Sequence, residues 1–267
     1  MFGPIKIKRA FELVEQEIRE MILSGTLKPD EKLPSERELA LAMQVARSVI
    51  REAFRILELS GLIYTKKGPN GGSFIEKPGA AILTRSFSYL MRLGEIDIDQ
   101  LTEARIMIEK DVLQLVMNKN KSKADYKPAD ELIASALNKL KRGESYKEEN
   151  FRFHTVLAEL SQNPILIMNV ESLMSIISIF VDYLKPSLEH SQKILESHKH
   201  MLEEMKLGNI ETANDILEEH ILFFTREFKN ASRLEGISFN EMLKENSFNL
   251  KSLTQFIPMG GKRQSRR

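Results

Sequence analysis

From Ala80 to about residue 230, apolar residues recur at helical spacing in seven successive segments. The segments run over roughly 80–93, 97–119, 128–142, 146–162, 164–186, 190–207 and 209–230, joined by short polar connections. A chain that repeats the helical period this often, with no strand signal between, can bury its apolar stripes only against other helices. This half therefore reads as an all-α bundle. No apolar run in it approaches the roughly 20 residues that a membrane span needs, and the start, Met1-Phe2-Gly3-Pro4-Ile5-Lys6, lacks a signal-peptide core. A cytoplasmic protein with no membrane partner is expected.

The first third is built differently. A helical stripe at Phe11, Val14, Ile18 and Ile22 ends at Ser24-Gly25. Ser35 followed by Glu38 is a capping box, so a short helix should run from Ser35 to about Met43. A second helix should follow from about Arg47 to Ser60, with Val49, Ala53, Phe54 and Leu57 inward and Gly61 as its stop. Leu62–Thr65 and Ser73–Ile75, joined by a Gly-rich and Lys-bearing connection, read as a β-hairpin. Helix, two-helix unit and hairpin in that order make a winged helix-turn-helix, whose second paired helix enters the major groove. Arg47, Arg51 and Arg55, four residues apart, share one face of that helix, and Arg37 sits in the first turn of the helix before it. Such guanidinium forks suit phosphate oxygens and guanine edges. The net charge of +1 neither requires nor excludes this, because a neutral total can hide a basic face.

The fold class expected is thus mainly α. It comprises a winged helix-turn-helix DNA-binding domain over 1–77, an all-α domain over 80–233, to which the polar residues and resemblance described below assign effector binding and dimerisation, and a partly disordered extension over 234–267. The spacing Gly25…Leu33-Pro34-Ser35-Glu36-Arg37-Glu38-Leu39-Ala40…Val45-Ala46-Arg47…Arg51-Glu52-Ala53…Gly61-Leu62-Ile63…Gly68…Gly71-Gly72 resembles the DNA-binding domain of GntR-type bacterial transcription regulators. The resemblance implies that Arg37, Arg47 and Arg51 contact operator phosphates and bases, that Ser48 adds a hydroxyl contact, and that Gly68 approaches the minor groove from the wing. Where that family usually has Ser or Thr before the recognition helix, this chain has Ala46.

Histidine use is sparse: five in the chain, three of them on apolar stripes of three different bundle helices. His154 lies with Phe151, Leu157 and Ala158, His198 with Leu195, Met201 and Met205, and His220 with Ala213, Leu217 and Phe224. Inward histidines on separate helices can converge as bundle-core metal sites do, and Asn150 lies one turn before His154 on the same face. Arg105 also lies on an inward stripe, where a buried guanidinium needs an anion: either an effector carboxylate or a neighbour such as Glu109 or Asp111. Asn169 is a further polar residue between apolar ones. The chain has no cysteine, so thiolate metal sites, disulfides and a cysteine nucleophile are excluded.

Glu103-Ala104-Arg105…Glu109, Asn150…Phe153-His154…Asn163-Pro164, His198…Leu202 and Gly208-Asn209…His220 are similar to the FadR-type (FCD) ligand-binding domain of the same family. That resemblance implies a divalent metal held by His154, His198 and His220 with Asn150 in the family's Asp position, zinc or nickel suiting such a set. It implies no organic cofactor. The other reading of the histidines is a metal-free cavity in which they bind the effector directly, with Arg105 and Asn169 as further contacts. The function expected is an effector-responsive regulator, a repressor rather than an activator, that binds a palindromic double-stranded operator as a homodimer. It would sense a small carboxylate and have no catalytic residue. The alternative is a metal-dependent hydrolase using the three histidines.

Overall fold

In the computed structural model, α1 (Ala10–Leu23) turns Val14 and Ile18 into an N-terminal core. Residues 9–77, 79–119, 122–184 and 187–235 are described. The capping box at Ser35 is present: the Glu38 amide donates to Ser35 Oγ at 3.3 Å, and the Ser35 amide donates to the Glu38 carboxylate at 2.7 Å. It opens α2 (Glu36–Ala42), and α3 (Arg47–Leu59) follows after a turn in which Gln44 takes a positive φ of 53°. The inward stripe of α3 is Ile50, Ala53, Phe54 and Leu57, with Ile50 fully buried and Val49 only half-buried. Spacing at i, i+3, i+4 and i+7 starts from Ile50, and Val49 packs against the same core from the edge of that stripe. At the end of α3 the Leu62 amide folds back to the Leu57 carbonyl at 2.9 Å, a reversal that Gly61 permits with φ 72°.

The hairpin pairs β1 (Ile63–Lys66) with β2 (Gly72–Ile75), Ile63 opposite Ile75 and Lys66 opposite Gly72. Ile63 and Ile75 are buried in the same cluster as Val14, Leu33, Ala40 and Ile50, so the wing is anchored at its base by apolar contact. The segment before α2 extends this sheet: Lys32 bridges Phe74, the Leu33 amide donates to Ser73 at 2.8 Å, and the Ile75 amide donates to Glu31 at 2.9 Å. This stretch therefore lies along the edge of the wing at β2.

The chain divides into two units, Met1–Ile82 and Leu83–Arg267. Helix α4 (Ala81–Leu93) starts at the end of the first unit and continues into the second, which also holds α5 (Ile98–Asn118), α6 (Lys127–Lys141), α7 (Lys147–Leu160), α8 (Pro164–Leu184), α9 (Leu188–Leu207) and α10 (Ile210–Glu235). Caps set several starts. Asp97 and Gln100 form a capping box for α5, Asn163 Oδ1 accepts from the Ile165 amide ahead of α8, and Ser187 Oγ accepts from the His190 amide at α9. One apolar core runs through the bundle, including Leu113 and Val116 of α5, Phe153 and Leu157 of α7, Ile176 and Phe180 of α8, Met201 of α9 and Leu217 of α10. Within it, hydroxyl pairs such as Thr102–Thr225 (2.8 Å) satisfy polar groups between helices. The extension from residue 236 onward lies outside the described residues.

Candidate nucleic-acid interface and buried histidine site

The arginine face of α3 is open. Arg47 and Arg51 are 60% and 67% exposed, and both lie against Glu36 in the first turn of α2, Arg51 Nη2 at 3.2 Å and Arg47 Nη2 at 3.8 Å. Exposed pairs of this kind contribute at most about 1 kcal/mol, so a phosphate can displace the carboxylate. Arg37 and Ser48 are also exposed, at the starts of α2 and α3. Ala46 is the N-cap of α3, with extended φ and ψ and no side-chain cap. On the wing, Lys66 Nζ lies 4.7 Å over the Phe74 ring, and Phe74 stacks on Tyr64. Gly68 has φ 112° and open space where a side chain would stand, so the tip is narrow and its backbone approachable. A groove of about 690 Å³ lies between the wing and the start of α2, bordered by Lys32, Ser35, Glu36 and Gly72.

In the bundle, α7, α9 and α10 bring His154, His198 and His220 together. His198 Nε2 lies 3.1 Å from His154 Nε2 and 3.2 Å from His220 Nε2. All three side chains are buried, and Phe153 stacks on His198 at 4.2 Å between centroids. Neighbours fix two of the tautomers. Glu109 Oε2 lies 2.6 Å from His154 Nδ1, so that nitrogen carries the hydrogen and Nε2 presents a lone pair. Ser197 Oγ donates its own hydrogen to the Ile194 carbonyl at 2.7 Å, so His220 Nδ1, 2.9 Å away, must donate to Ser197. His220 Nε2 is then a lone pair as well. Two lone pairs thus face a single His198 Nε2, which has at most one hydrogen to give.

Burial pushes all three imidazoles toward the neutral form. For His198 and His220 the nearby histidines and Arg105 push the same way, to well below the usual histidine value, while Glu109 partly opposes the shift at His154. Burial by itself would raise the Glu109 carboxyl, but Arg105 and then His154 outweigh it and hold it at about 2. Arg105 is 4% exposed, with Nε 2.5 Å from Glu109 Oε1 and Nη2 3.3 Å from His154 Nε2. Glu109, rather than Asp111, supplies the anion that this buried guanidinium requires.

The donor set fits a divalent cation. Three neutral imidazole nitrogens lie within 4.8 Å of one another, the two spacings through His198 are close to the edge of a tetrahedron with metal–nitrogen bonds of about 2.0–2.1 Å, and the buried Oδ1 of Asn150 has no hydrogen-bond partner. A lone pair with no partner is a cost unless something fills the position. Asn169 is bonded elsewhere: half-buried on α8, it donates its Nδ2 to the Ile165 carbonyl at 2.8 Å. His190 pairs with Glu227, and His200 is exposed. Two contributors are hidden from sequence reasoning. Glu109 is visible as a partner for Arg105 at i+4 but not as the group that orients His154, and Ser197 carries no signal at all. A cavity of about 300 Å³ between α9 and α10 reaches His220 and Ser197, with Lys193, Asp215, Glu219 and Phe223 at its walls.

Among known proteins, residues 11–75 match the family described as bacterial regulatory proteins, gntR family, and residues 100–223 match the FCD domain. The HTH-type transcriptional regulator LutR of Bacillus subtilis (strain 168) is 29% identical over 209 residues, covering 75% of this chain and 93% of LutR. The HTH-type transcriptional repressor NanR of Salmonella newport (strain SL254) is 26% identical over 239 residues, 82% and 85% of the two chains. The solved structure of Streptococcus agalactiae GntR superposes with a TM-score of 0.55 at 22% identity, over 81% of this chain and 99% of that one, and so shares the fold.

Proposed function

The chain belongs to the GntR family of bacterial regulatory proteins, with an FCD domain as its C-terminal part, and from this we propose that it is a homodimeric, ligand-responsive repressor whose sensor is the buried histidine cluster. It is a transcription regulator of GntR/FCD type, and DNA is its macromolecular partner. The rest is our reading. Each protomer presents α3 to a major groove. One recognition helix reads only a few base pairs, so a two-fold pair of protomers reading a palindrome is the economical arrangement. Arg37, Arg47, Arg51 and Ser48 face the operator, and Gly68 carries the wing toward the neighbouring groove. Such a protein works in the cytoplasm, where its DNA is.

His154, His198, His220 and Asn150 would hold the divalent ion, zinc or nickel by the softness of imidazole. The ion would supply a Lewis-acidic contact for a small carboxylate. This chain's own residues do the positioning. Glu109 and Ser197 hold two imidazoles in one tautomer and orientation, and the apolar wall around them, Phe153 included, keeps water out. Ligand binding then favours one placement of the DNA-binding domains over another, which changes the match to the operator half-sites. We assign no catalytic step to the site.

The observation that carries this reading is the meeting of three buried Nε2 atoms, two of them fixed as lone pairs. The test is elemental analysis of tag-free protein purified without chelators or nickel resin, paired with band-shift titration on its own promoter DNA. We expect about one zinc or nickel per chain, lost in His198→Ala, with operator binding by that variant retained but blind to carboxylates. Metal-free wild-type protein would overturn the metal assignment; a normal ligand response in His198→Ala would overturn the site.

A further inference from the structure

We infer that the ligand of this site is a dianion, a dicarboxylate in preference to a monocarboxylate of the same length; this rests on the metal reading above and names the ligand class within it. Charge balance selects the occupant. Contacts place Arg105 and Glu109 from α5, His154 from α7, Ser197 and His198 from α9, and His220 from α10 at the cluster, and Asn150 stands one helical turn before His154 on α7 with its buried Oδ1 unpartnered. Arg105 and Glu109 cancel. The imidazoles are neutral and donate lone pairs, and Asn150 offers an amide oxygen, a dipole where a carboxylate would bring a full charge. Among the described residues the site thus supplies no net negative charge to a divalent ion. The ion would leave two positive charges uncompensated at a place where every imidazole is at most 7% exposed.

A buried charge without a partner is strongly unfavourable, and it is the occupant that must supply the balance. Geometry points the same way. Arg105 Nη2 stands 3.3 Å from His154 Nε2, the atom whose lone pair the ion would take. A cation there would meet a guanidinium held in place by Glu109, and an anion seated between them relieves the repulsion. A single carboxylate neutralises half of the excess; a second carboxylate neutralises the remainder. The charged groups on the cavity toward His220, namely Lys193, Asp215 and Glu219, are exposed, so water screens them and they do not alter the balance at the ion.

The experiment is calorimetric titration of the zinc-loaded full chain with three matched pairs, malonate and propionate, succinate and butyrate, glutarate and valerate, in which one carboxylate is replaced by a methyl group. Zinc content is measured before and after. The expected result is that at least one dicarboxylate binds about tenfold or more tighter than its partner. Asn150→Asp, which returns one negative charge to the site, should narrow that ratio to about threefold or less while keeping zinc. Protein that holds no zinc overturns the metal reading and the inference with it. Zinc-loaded protein that binds mono- and dicarboxylates equally, binds none of the six, or keeps its preference unchanged in Asn150→Asp overturns the dianion inference alone.

Discussion

His154 Nδ1 lies 2.6 Å from Glu109 Oε2, a contact between two buried side chains on α7 and α5. Glu109 reaches Arg105 with its other oxygen, so one carboxylate both neutralises a buried guanidinium and fixes a histidine tautomer. One carboxylate thus serves both the buried core and the proposed ligand site.

Glu109→Gln is the direct probe. It leaves Arg105 a buried cation without its anion, a change that costs about 3–5 kcal/mol, and it weakens the orientation of His154, which lowers zinc affinity about 10–100-fold. Urea unfolding of chelator-stripped protein and competitive zinc titration measure the two effects. The double variant Arg105→Met, Glu109→Leu removes both charges and should recover much of the stability without the zinc affinity. Stability of Glu109→Gln within about 0.5 kcal/mol of wild type would show that the buried pair is not structural.

On the surface proposed to face DNA, Glu36 pairs with Arg47 and Arg51 and would compete with phosphate for them. Arg51→Ala should weaken operator binding by about 1–3 kcal/mol and reduce the salt slope by about one. Glu36→Gln frees both guanidinium groups and should tighten binding to operator and unrelated DNA alike. Band shifts across a salt series read both variants. Full operator affinity in Arg51→Ala would remove α3 from the groove.

Much of this was open to sequence reasoning, and the remainder was closed for identifiable reasons. Helical period and caps place α2, α3 and the bundle helices, because Ser35–Glu38 and the apolar stripes are local signals. The inward faces of His154, His198 and His220 are local too. Their meeting at Nε2 depends on how α7, α9 and α10 pack, which no single helix encodes. The roles of Glu109 and Ser197 depend on atoms of other helices, and the pairing of Lys32 with Phe74 is a contact 42 residues apart along the chain. Asn169 shows a different limit. Its place between apolar residues suggests an inward polar contact, yet an amide can bond to its own helix one turn back, as here.

The buried histidines make the metal-free protein sensitive to acid. His198 and His220 have folded values well below 6.5, so as pH falls past about 6.5 the unfolded chain takes up protons that the folded chain refuses. Stability is full above that point and declines below it. Glu109, held at about 2, stays ionised throughout this window, and its contribution is lost only as pH falls from about 4.5 toward 2. Urea midpoints of stripped protein should therefore drop between pH 7.5 and 5.5, and His198→Gln, with one titrating group fewer, should drop less. A flat midpoint across that range in wild type would mean that the histidines are not held neutral.

Ala46 offers a gain. It occupies the N-cap of α3 with φ −67° and ψ 146°, a conformation in which a hydroxyl can accept from the amides of the first turn, but its methyl cannot. Ala46→Ser should add about 0.5–2 kcal/mol to the stability of the DNA-binding domain. It also places a hydroxyl beside Arg47 and Ser48 on the exposed start of α3, where we propose that phosphates are met. Operator affinity should rise with little change in sequence preference, since a contact to backbone adds no base readout. Thermal melting and binding to operator variants measure the two. A variant that is more stable but binds DNA no better would separate the cap from the interface, and place the start of α3 away from the phosphates.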